Sequence, residues 1–531
     1  MYEIIRPARG VSATYSVPAR LDCPAILFQY SSRSLLMLSK FTHEIFLYAS
    51  SLVLLRVLVS MFNSTKARQF LFLIASYLFY LTWGVWFFPV LIFSSLVNFG
   101  LGEFLRQRPT SARLWTGITF NLLLLSFFKY LPLVAGGATH FAGAYWLSRI
   151  VLPVGISFWT FQAISYLLDL YREEPLDPSL LEFCLYMAFW PTVLSGPICR
   201  LPNMLPQFRQ PVILRWEDIG NGFQRILLGL FMMILSQVIA SGLGPGQGVD
   251  AGFARESTPG GFDVWFLLIG YGFQLFLNFA GYSHIVIGAA RIFGIILQEN
   301  FNRPFLSTTP TVFWTRWHMS LSFWIRDYVF FPLATVRSEV WWRNLSLVIA
   351  MAVFGIWHQG TLLFLMYGIY QGILLVSFRQ WERIRPRFNL SLPAELGTLL
   401  SWLVTSATIS LGWILFRAES RTQAASMFRA VLSPASYARH ALPYNYYRMI
   451  LVTGFCYFAV VWINVWLDRM ARPQDAGRSP AALARFEGAM GMLARNRWVW
   501  EIPLVAILSL YLLLLLPLEG PLIGPMLYQI F

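Results

Sequence analysis

Charge is scarce in this sequence: aspartate, glutamate, lysine and arginine together make up 12% of its 531 residues. A soluble globular domain carries about twice that share. Hydrophobic residues account for 57% of the chain, and long apolar runs recur along it. The composition argues against a soluble domain and predicts a helical membrane protein with many spans.

Several catalytic and metal-binding patterns are missing. The four cysteines, Cys23, Cys184, Cys199 and Cys456, form no C-x-x-C pair, so no structural disulfide or cysteine metal site is indicated. There is no G-x-S-x-G nucleophile elbow, no H-E-x-x-H zinc helix and no P-loop. We therefore expect neither a bound metal nor a bound cofactor.

The net charge of +15 comes almost entirely from arginines in short clusters between apolar runs. This pattern is expected of cytoplasmic loops in membrane proteins, so we expect no nucleic-acid binding. The segments predicted to be cytoplasmic are 106–113, 200–215, 379–387 and 469–497. Within the last of these, 481–497 fits either an amphipathic helix on the lipid surface or a solvated loop.

Apolar runs of about 20 residues predict an all-α, polytopic bundle of about 11–13 spans. The predicted spans are 43–62, 69–86, 88–105, 113–133, 143–171, 180–195, 219–243, 263–295, 343–357, 361–378, 395–416, 446–467 and 500–517. We expect a kink at Pro153 and Gly155, re-entrant segments or half-spans at 180–195 and 343–357, and two pieces within 263–295. Residues 1–42 are interpreted as an N-terminal extension, with Met37 as a hypothetical start, and 43–531 as a single membrane domain.

One polar-aromatic stretch does not fit an ordinary span. Residues 313–332 read F-W-T-R-W-H-M-S-L-S-F-W-I-R-D-Y-V-F-F-P. On one continuous helix Trp317, Trp324 and Tyr328 would share a face, whereas Arg316 would point elsewhere. Because a charge in the bilayer core is costly, we expect this stretch at an interface or buried around a polar cavity.

Two histidines are the strongest catalytic candidates. His318 lies in that stretch, and His358 lies in F-G-I-W-H-Q-G just before another apolar run. An imidazole can accept a proton from a hydroxyl and return it near neutral pH. The alternative is a structural histidine bonded to a backbone carbonyl. Asp327 could orient an imidazole or form an ion pair with Arg303 or Arg316, while the adjacent Arg326 would diverge from it on a helix.

The stretch F-W-T-R-W-H-M-S-L-S-F-W-I-R-D-Y, followed by G-I-W-H, resembles the signature of the membrane-bound O-acyltransferase family. Further segments are similar to its bacterial branch, which serves alginate O-acetylation and teichoic-acid D-alanylation. They are 152–171 (L-P-V-G-I-S-F-W-T-F-Q-A-I-S-Y-L-L-D-L-Y), 195–200 (S-G-P-I-C-R), 279–288 (F-A-G-Y-S-H-I-V-I-G) and 300–305 (N-F-N-R-P-F). The resemblance covers about residues 70 to 378.

The resemblance implies helices around a central tunnel in the bacterial cytoplasmic membrane. His358 would be the catalytic base and His318 would lie nearer the cytoplasmic donor entrance. The substrate-binding residues shaping that entrance would be Arg316, Trp317, Arg326 and Asp327. The implied donor is acetyl-CoA, the transferred group is not amino-acyl, and a separate extracytoplasmic acyltransferase would complete transfer to a polysaccharide.

Three positions depart from the family pattern. Gln359 stands where glycine usually follows the catalytic histidine, His284 stands where alginate-type members tend to have aspartate, and 334–337 reads A-T-V-R in place of a G-G-N-R loop. Two alternatives stay open. One is D-alanyl transfer from an acidic carrier protein, and the other is a non-catalytic transporter or scaffold in polysaccharide export.

Overall fold

The computed structural model describes residues 47–137, 147–211, 213, 215–242, 246–255, 259–388, 393–471 and 497–515. Helices dominate these ranges, and no strand occurs within them. The all-α prediction is therefore confirmed. The predicted N-terminal extension and the surface helix or loop predicted at 481–497 lie almost wholly outside the described ranges.

Twenty helices follow one another in these ranges. They are α1 (Leu47–Met61), α2 (Thr65–Leu81), α3 (Phe88–Gln107), α4 (Ser111–Lys129), α5 (Leu131–Gly137), α6 (Ile156–Tyr171), α7 (Leu180–Ala188), α8 (Leu201–Arg209), α9 (Trp216–Ser241), α10 (Val249–Phe253), α11 (Gly261–Ile292), α12 (Pro310–Trp314), α13 (Met319–Ile325), α14 (Phe331–Ala334), α15 (Val340–His358), α16 (Leu362–Ile384), α17 (Ala394–Arg417), α18 (Arg421–Leu432), α19 (Tyr444–Ala471) and α20 (Arg497–Leu515). A π-helical turn, Arg326–Phe330, joins α13 to α14.

Seven helical segments of the described chain are long and apolar enough to cross a bilayer: Val85–Gln107, α9, α11, α15, Leu362–Phe388, α17 and Tyr444–Leu467. The chain is thus a polytopic helical membrane protein. The remaining predicted spans correspond to helices that are shorter, less apolar or only partly described. Local signals mark several starts, because the side chains of Ser64 and Thr110 accept N-terminal amide hydrogen bonds of α2 and α4.

Four of the predictions about individual spans can be compared with the observed helices. Helix α11 is one continuous helix of 32 residues, so the division expected within 263–295 does not occur. Helix α15 has 19 residues and is a full candidate span, whereas α7 has only nine. The expected kink does not occur within a helix, because residues 148–155 are non-helical and α6 begins at Ile156, directly after Gly155 with its left-handed φ of 83°.

Helices α9 and α11 pack against each other along much of their length. Their contact is lined by glycines: a Cβ on Gly229 would lie 2.4 Å from the Gly281 carbonyl oxygen. Small residues allow this close backbone approach, which substitutes for the hydrophobic driving force that lipid does not provide. Of this pair, α11 contacts the 310–334 segment, where its Phe279 ring lies 4.6 Å from that of His318.

The bundle has two chemically distinct ends. At the arginine end, Arg200 pairs with Asp327, and Arg379 from α16 lies over the Phe330 ring at 5.6 Å. At the opposite end, here called the His358 end, α15 and α17 both terminate. There the His358 ring lies 5.1 Å from that of Phe416. Helix α6 runs between the two ends.

Candidate active site

The segment that carries His318 is not one continuous helix. Helix α12 ends at Trp314, a turn follows, and α13 begins at Met319. His318 itself has φ 41° and ψ 54°, a left-handed conformation that interrupts the helix. The prediction that Trp317 shares one helical face with Trp324 and Tyr328 is therefore wrong.

A fully buried asparagine, Asn300, holds this turn. Its backbone oxygen accepts a hydrogen bond from the Met319 amide at 2.8 Å, and its Oδ1 accepts one from Ser320 Oγ at 2.6 Å. Its Nδ2 donates to Ser283 Oγ on α11 at 3.0 Å. Through these three bonds Asn300 links Met319 and Ser320, which follow His318, to Ser283 of α11. The links stabilise the left-handed turn at His318.

The two candidate histidines come together in the interior. His318 is fully buried and His358 is 2% exposed. The Phe279 ring lies edge-on to His318 at 4.6 Å, while Phe354 and Phe416 lie 4.8 and 5.1 Å from His358. The imidazoles are near enough to interact electrostatically. Two imidazoles enclosed by aromatic rings form a water-poor site in which proton transfer to and from a hydroxyl is chemically feasible.

The predicted substrate residues Arg326 and Asp327 belong to a second polar site. Arg200 and Arg326 bind the Asp327 carboxylate at 2.6 and 2.7 Å, and Arg172 donates to the Asp327 carbonyl at 2.9 Å. We call these three arginines and Asp327 the arginine cluster. Asp327 therefore pairs neither with Arg303 nor with Arg316, and Arg326 does not diverge from it. The π-helical turn brings the two adjacent side chains together.

Electrostatics keep the cluster ionised. Burial alone would raise the pKa of Asp327, but hydrogen bonds from Arg326 and Arg200 outweigh it and hold that pKa below its usual value. Tyr328 adds a buried contact, because its hydroxyl donates to Asp169 Oδ1 at 2.7 Å. Arg200 and Arg326 bind the Asp327 carboxylate, Arg172 binds its backbone carbonyl, and the Asp169 carboxylate acts electrostatically on Arg200. Three guanidinium groups against two carboxylates leave an excess of positive charge that suits an anionic ligand.

Arg316 and Trp317, the other two predicted substrate residues, lie in a different place. Trp317 is buried in an aromatic group, stacked on Phe313 at 5.4 Å and edge-on to Phe301 at 5.2 Å. Arg316 is half-buried and acts electrostatically on Tyr457 of α19. The four predicted residues therefore fall into two groups, and the structure brings only Arg326 and Asp327 together.

A stack of aromatic rings spans the region between the arginine cluster and His358. Trp324 stacks on Phe161 at 4.1 Å, and Phe161 stacks on Trp357 at 5.1 Å. On α6, Asp169 reaches the cluster through Tyr328, while Ser157 lies at the His358 end. The twelve residue steps from Ser157 to Asp169 span ~18 Å along the axis of α6 at 1.5 Å per residue.

Sequence reasoning missed several residues of these sites. Arg200 closes the S-G-P-I-C-R segment and Asn300 opens N-F-N-R-P-F, so both were within recognised segments without an assigned role. Lys129, whose Nζ donates to the Trp357 carbonyl, also received no role. A signal existed for it, because an ionisable residue within a predicted span is by default a functional candidate.

Comparison with known proteins identifies the family. The sequence profile of MBOAT, the membrane-bound O-acyltransferase family, matches residues 26–416. A probable alginate O-acetylase of Pseudomonas aeruginosa is 29% identical over 382 residues, covering 70% of this chain and 71% of the relative. A peptidoglycan O-acetyltransferase of Helicobacter pylori is 30% identical over 397 residues, covering 68% and 72%.

A teichoic acid D-alanyltransferase of Streptococcus thermophilus is 33% identical over 288 residues, covering 50% of this chain and 68% of the relative. The matched profile spans the arginine cluster, both histidines and the helices that hold them. The chain is thus a multi-pass membrane acyltransferase and belongs to the membrane-bound O-acyltransferase family.

Proposed function

We propose that this enzyme moves an acetyl group from a cytoplasmic thioester, acetyl-CoA, toward a polysaccharide outside the cytoplasmic membrane. The observation that carries the proposal is the separation of a cationic site from a buried histidine site along α6. An anionic donor would bind at the first, and its acyl group would react at the second. The names of two relatives, an alginate O-acetylase and a peptidoglycan O-acetyltransferase, support a polysaccharide as the final acceptor.

Orientation follows from the distribution of arginine. The described parts of three predicted basic segments, 106–113, 200–215 and 379–387, lie at the arginine end, and membrane proteins retain such loops in the cytoplasm. Arg172, Arg200 and Arg326 would bind the phosphate groups of the donor, since guanidinium groups match phosphate oxygens in bidentate geometry. The thioester arm would then extend along the aromatic stack toward His358. His318 would lie on the donor side of the reacting centre.

The chemistry needs one base and no bound cofactor. His358 would accept the proton of the acceptor hydroxyl while the hydroxyl oxygen forms a bond to the thioester carbonyl carbon. Collapse of the tetrahedral intermediate would break the carbon–sulfur bond, and the imidazolium would return the proton to the leaving thiolate. The products are an oxygen ester and a free thiol. A separate extracytoplasmic acyltransferase would carry the acetyl group onward to the polymer.

A second donor has support from one comparison. The D-alanyltransferase relative is 33% identical over half of this chain. The arginine cluster would suit the phosphate of a carrier-bound arm as well as that of acetyl-CoA. Carrier-bound D-alanine is therefore the alternative donor, and an assay of acyl transfer must offer both.

The test is acyl transfer by the purified protein in liposomes with labelled acetyl-CoA or labelled D-alanyl carrier. We expect His358→Ala to reduce transfer by at least about 100-fold, the smaller end of what a general base contributes. His440→Ala is the matched control, because His440 is exposed in a loop. Transfer by His358→Ala at the wild-type rate would contradict the assignment of the base. If wild type transfers only from the D-alanyl carrier, acetyl-CoA is not the donor and carrier-bound D-alanine takes its place in the proposal.

A further inference from the structure

Lys129 is a buried lysine without an acidic partner among the described residues. It ends α4, has 8% of its surface exposed, and is one of only three lysines in the chain. Among the described residues, no aspartate or glutamate forms an ion pair or acts electrostatically on it. An unpaired charge in a protein interior is costly. A lysine kept in such a place therefore calls for a function.

The contacts of Lys129 and its neighbour Tyr130 converge on the last turn of α15. The Lys129 ammonium donates to the Trp357 carbonyl and lies 3.5 Å from Ser157 Oγ. The Tyr130 hydroxyl donates to the Ile356 carbonyl at 3.2 Å. Lys129 is the last residue of α4 and Tyr130 follows it. These two consecutive residues bind two consecutive carbonyl groups of α15, and the next residue of α15 is His358.

These bonds satisfy groups that the helix cannot satisfy itself. The last four carbonyls of an α-helix have no partner within the helix. Helix α15 ends without the left-handed cap that often binds them, because Gln359 is extended, with φ −153° and ψ 137°. The Lys129 side chain also places its N–H donors at the negative end of the helix dipole. The end of α15 therefore depends on α4 for its capping.

Tyr130 also fixes the backbone beyond His358. A Cβ on Gly360 would lie 2.6 Å from the Tyr130 ring, so the ring rests directly on this backbone. His358 is thereby held from both sides: Lys129 and Tyr130 bind the two carbonyls before it, and the Tyr130 ring packs on the chain two residues after it. The charge of Lys129 acts on His358 as well.

We propose that Lys129 and Tyr130 form a clamp that fixes the last turn of α15 and thereby the direction of the His358 imidazole. Lys129 is in this view a positioning residue, and the proposal rests on the role of His358 as the base. The clamp would hold the imidazole against the reacting hydroxyl. Without it the last turn frays and the base is misplaced.

The experiment compares Lys129→Met, Lys129→Arg and Tyr130→Phe with Asn121→Leu in liposomes. Asn121 is a matched control, because it lies on the same helix about 12 Å away and forms a buried bond with Asn98 at 2.6 Å. Three quantities are measured: turnover, the KM for the labelled donor, and the carbethoxylation rate of His358 by diethyl pyrocarbonate. Exposed His440 is the internal reference for that rate.

We expect Lys129→Met to lower turnover about 100-fold, as for a misplaced catalytic group, with an unchanged KM and faster modification of His358. Lys129→Arg should recover part of the turnover, Tyr130→Phe should lose a few-fold, and Asn121→Leu should change thermal stability alone. Equal His358 modification in Lys129→Met and wild type would overturn the clamp. So would matching losses of turnover in Lys129→Met and Asn121→Leu. A wild type that transfers no acyl group counts against the proposed function, while the modification rates still test the clamp.

Discussion

At the scale of single residues, His318 combines a chemical and a conformational requirement. Its φ of 41° lies in the left-handed region, which non-glycine residues occupy at a cost of about 1–3 kcal/mol. The hydrogen bonds of Asn300 offset this cost by fixing Met319 and Ser320. Such strain is found preferentially at functional positions, which agrees with a role for the imidazole beyond packing.

A pair of substitutions separates the two requirements. Both His318→Gly and His318→Ala remove the imidazole, so both should lose acyl transfer. Glycine adopts the left-handed conformation freely, whereas alanine is strained there by ~1–2 kcal/mol. We therefore expect His318→Gly to unfold at a higher temperature than His318→Ala, the reverse of their order in a helix. Thermal unfolding in detergent measures the two unfolding temperatures. If His318→Ala unfolds at the higher temperature, the left-handed conformation at this turn is not required.

Glu182 gives a pH-dependent contribution to stability away from the reaction site. The Arg209 side-chain hydrogen bond, aided by Ser179, lowers the pKa of Glu182 to about 2 against the opposing effect of burial. The contribution is therefore complete above pH 4.5, the ordinary value, and is lost as the pH falls to about 2. Gln69 of α2 also donates to Glu182 at 3.2 Å, so the carboxylate links α2, α7 and α8.

Glu182→Gln should reduce the unfolding free energy at pH 7 by about 1 kcal/mol, because Arg209 is 42% exposed and its pairing is screened. The difference from wild type should shrink between pH 4.5 and about 2. Unfolding midpoints measured across this range provide the check. If the difference in stability between Glu182→Gln and wild type stays constant from neutral to acidic pH, the charge of Glu182 does not cause the loss of stability.

At the scale of elements, hydropathy predicted most helices to within a few residues. The span predicted at 219–243 is α9, Trp216–Ser241, and that at 395–416 is α17, Ala394–Arg417. Residues 313–332 were harder, because long-range bonds to Asn300 stabilise a left-handed turn that no local pattern encodes. The pairing of Arg200 with Asp327 was equally inaccessible, since the two lie 127 residues apart.

The crossing of α15 and α16 offers an element-scale prediction. A Cβ on Gly355 would lie 2.2 Å from the Phe364 carbonyl oxygen, so Gly355→Ala must push the helices apart. His358 lies one turn further along α15 and would move with it. We expect a lower unfolding temperature and at least about tenfold slower transfer, since small misplacements of reacting groups are costly.

Gly397→Ala is the control for that substitution. Gly397 lies in α17, and a Cβ added to it would have no other atom within 4 Å, so the new methyl group meets nothing. Because alanine favours helix over glycine by ~1 kcal/mol, this variant should be at least as stable as wild type and fully active. Equal unfolding temperatures and transfer rates in the two variants would show that close packing at Gly355 is not needed for stability or for acyl transfer.

At the scale of the whole molecule, the two sites lie at different depths of one bundle. The sequence predicted both histidines, Arg326 and Asp327 from the family signature, and the structure brings each pair together. The distance between the pairs was not predictable, because it depends on how α6 runs between them. That separation underlies the proposal of a donor on one side of the membrane and an acceptor on the other.

The proposed orientation can be tested with single cysteines at the two ends. Thr110 is exposed in a basic loop between α3 and α4, and Ala435 is exposed between α18 and α19 near the start of α11. In a variant whose four native cysteines are replaced by alanine, a membrane-impermeant maleimide applied to intact bacterial cells should label Ala435→Cys alone. Thr110→Cys should react only after permeabilisation, because its arginine-rich loop is retained in the cytoplasm. The opposite labelling would place the arginine cluster outside, away from any cytoplasmic thioester, and the proposed direction of transfer would fail with it.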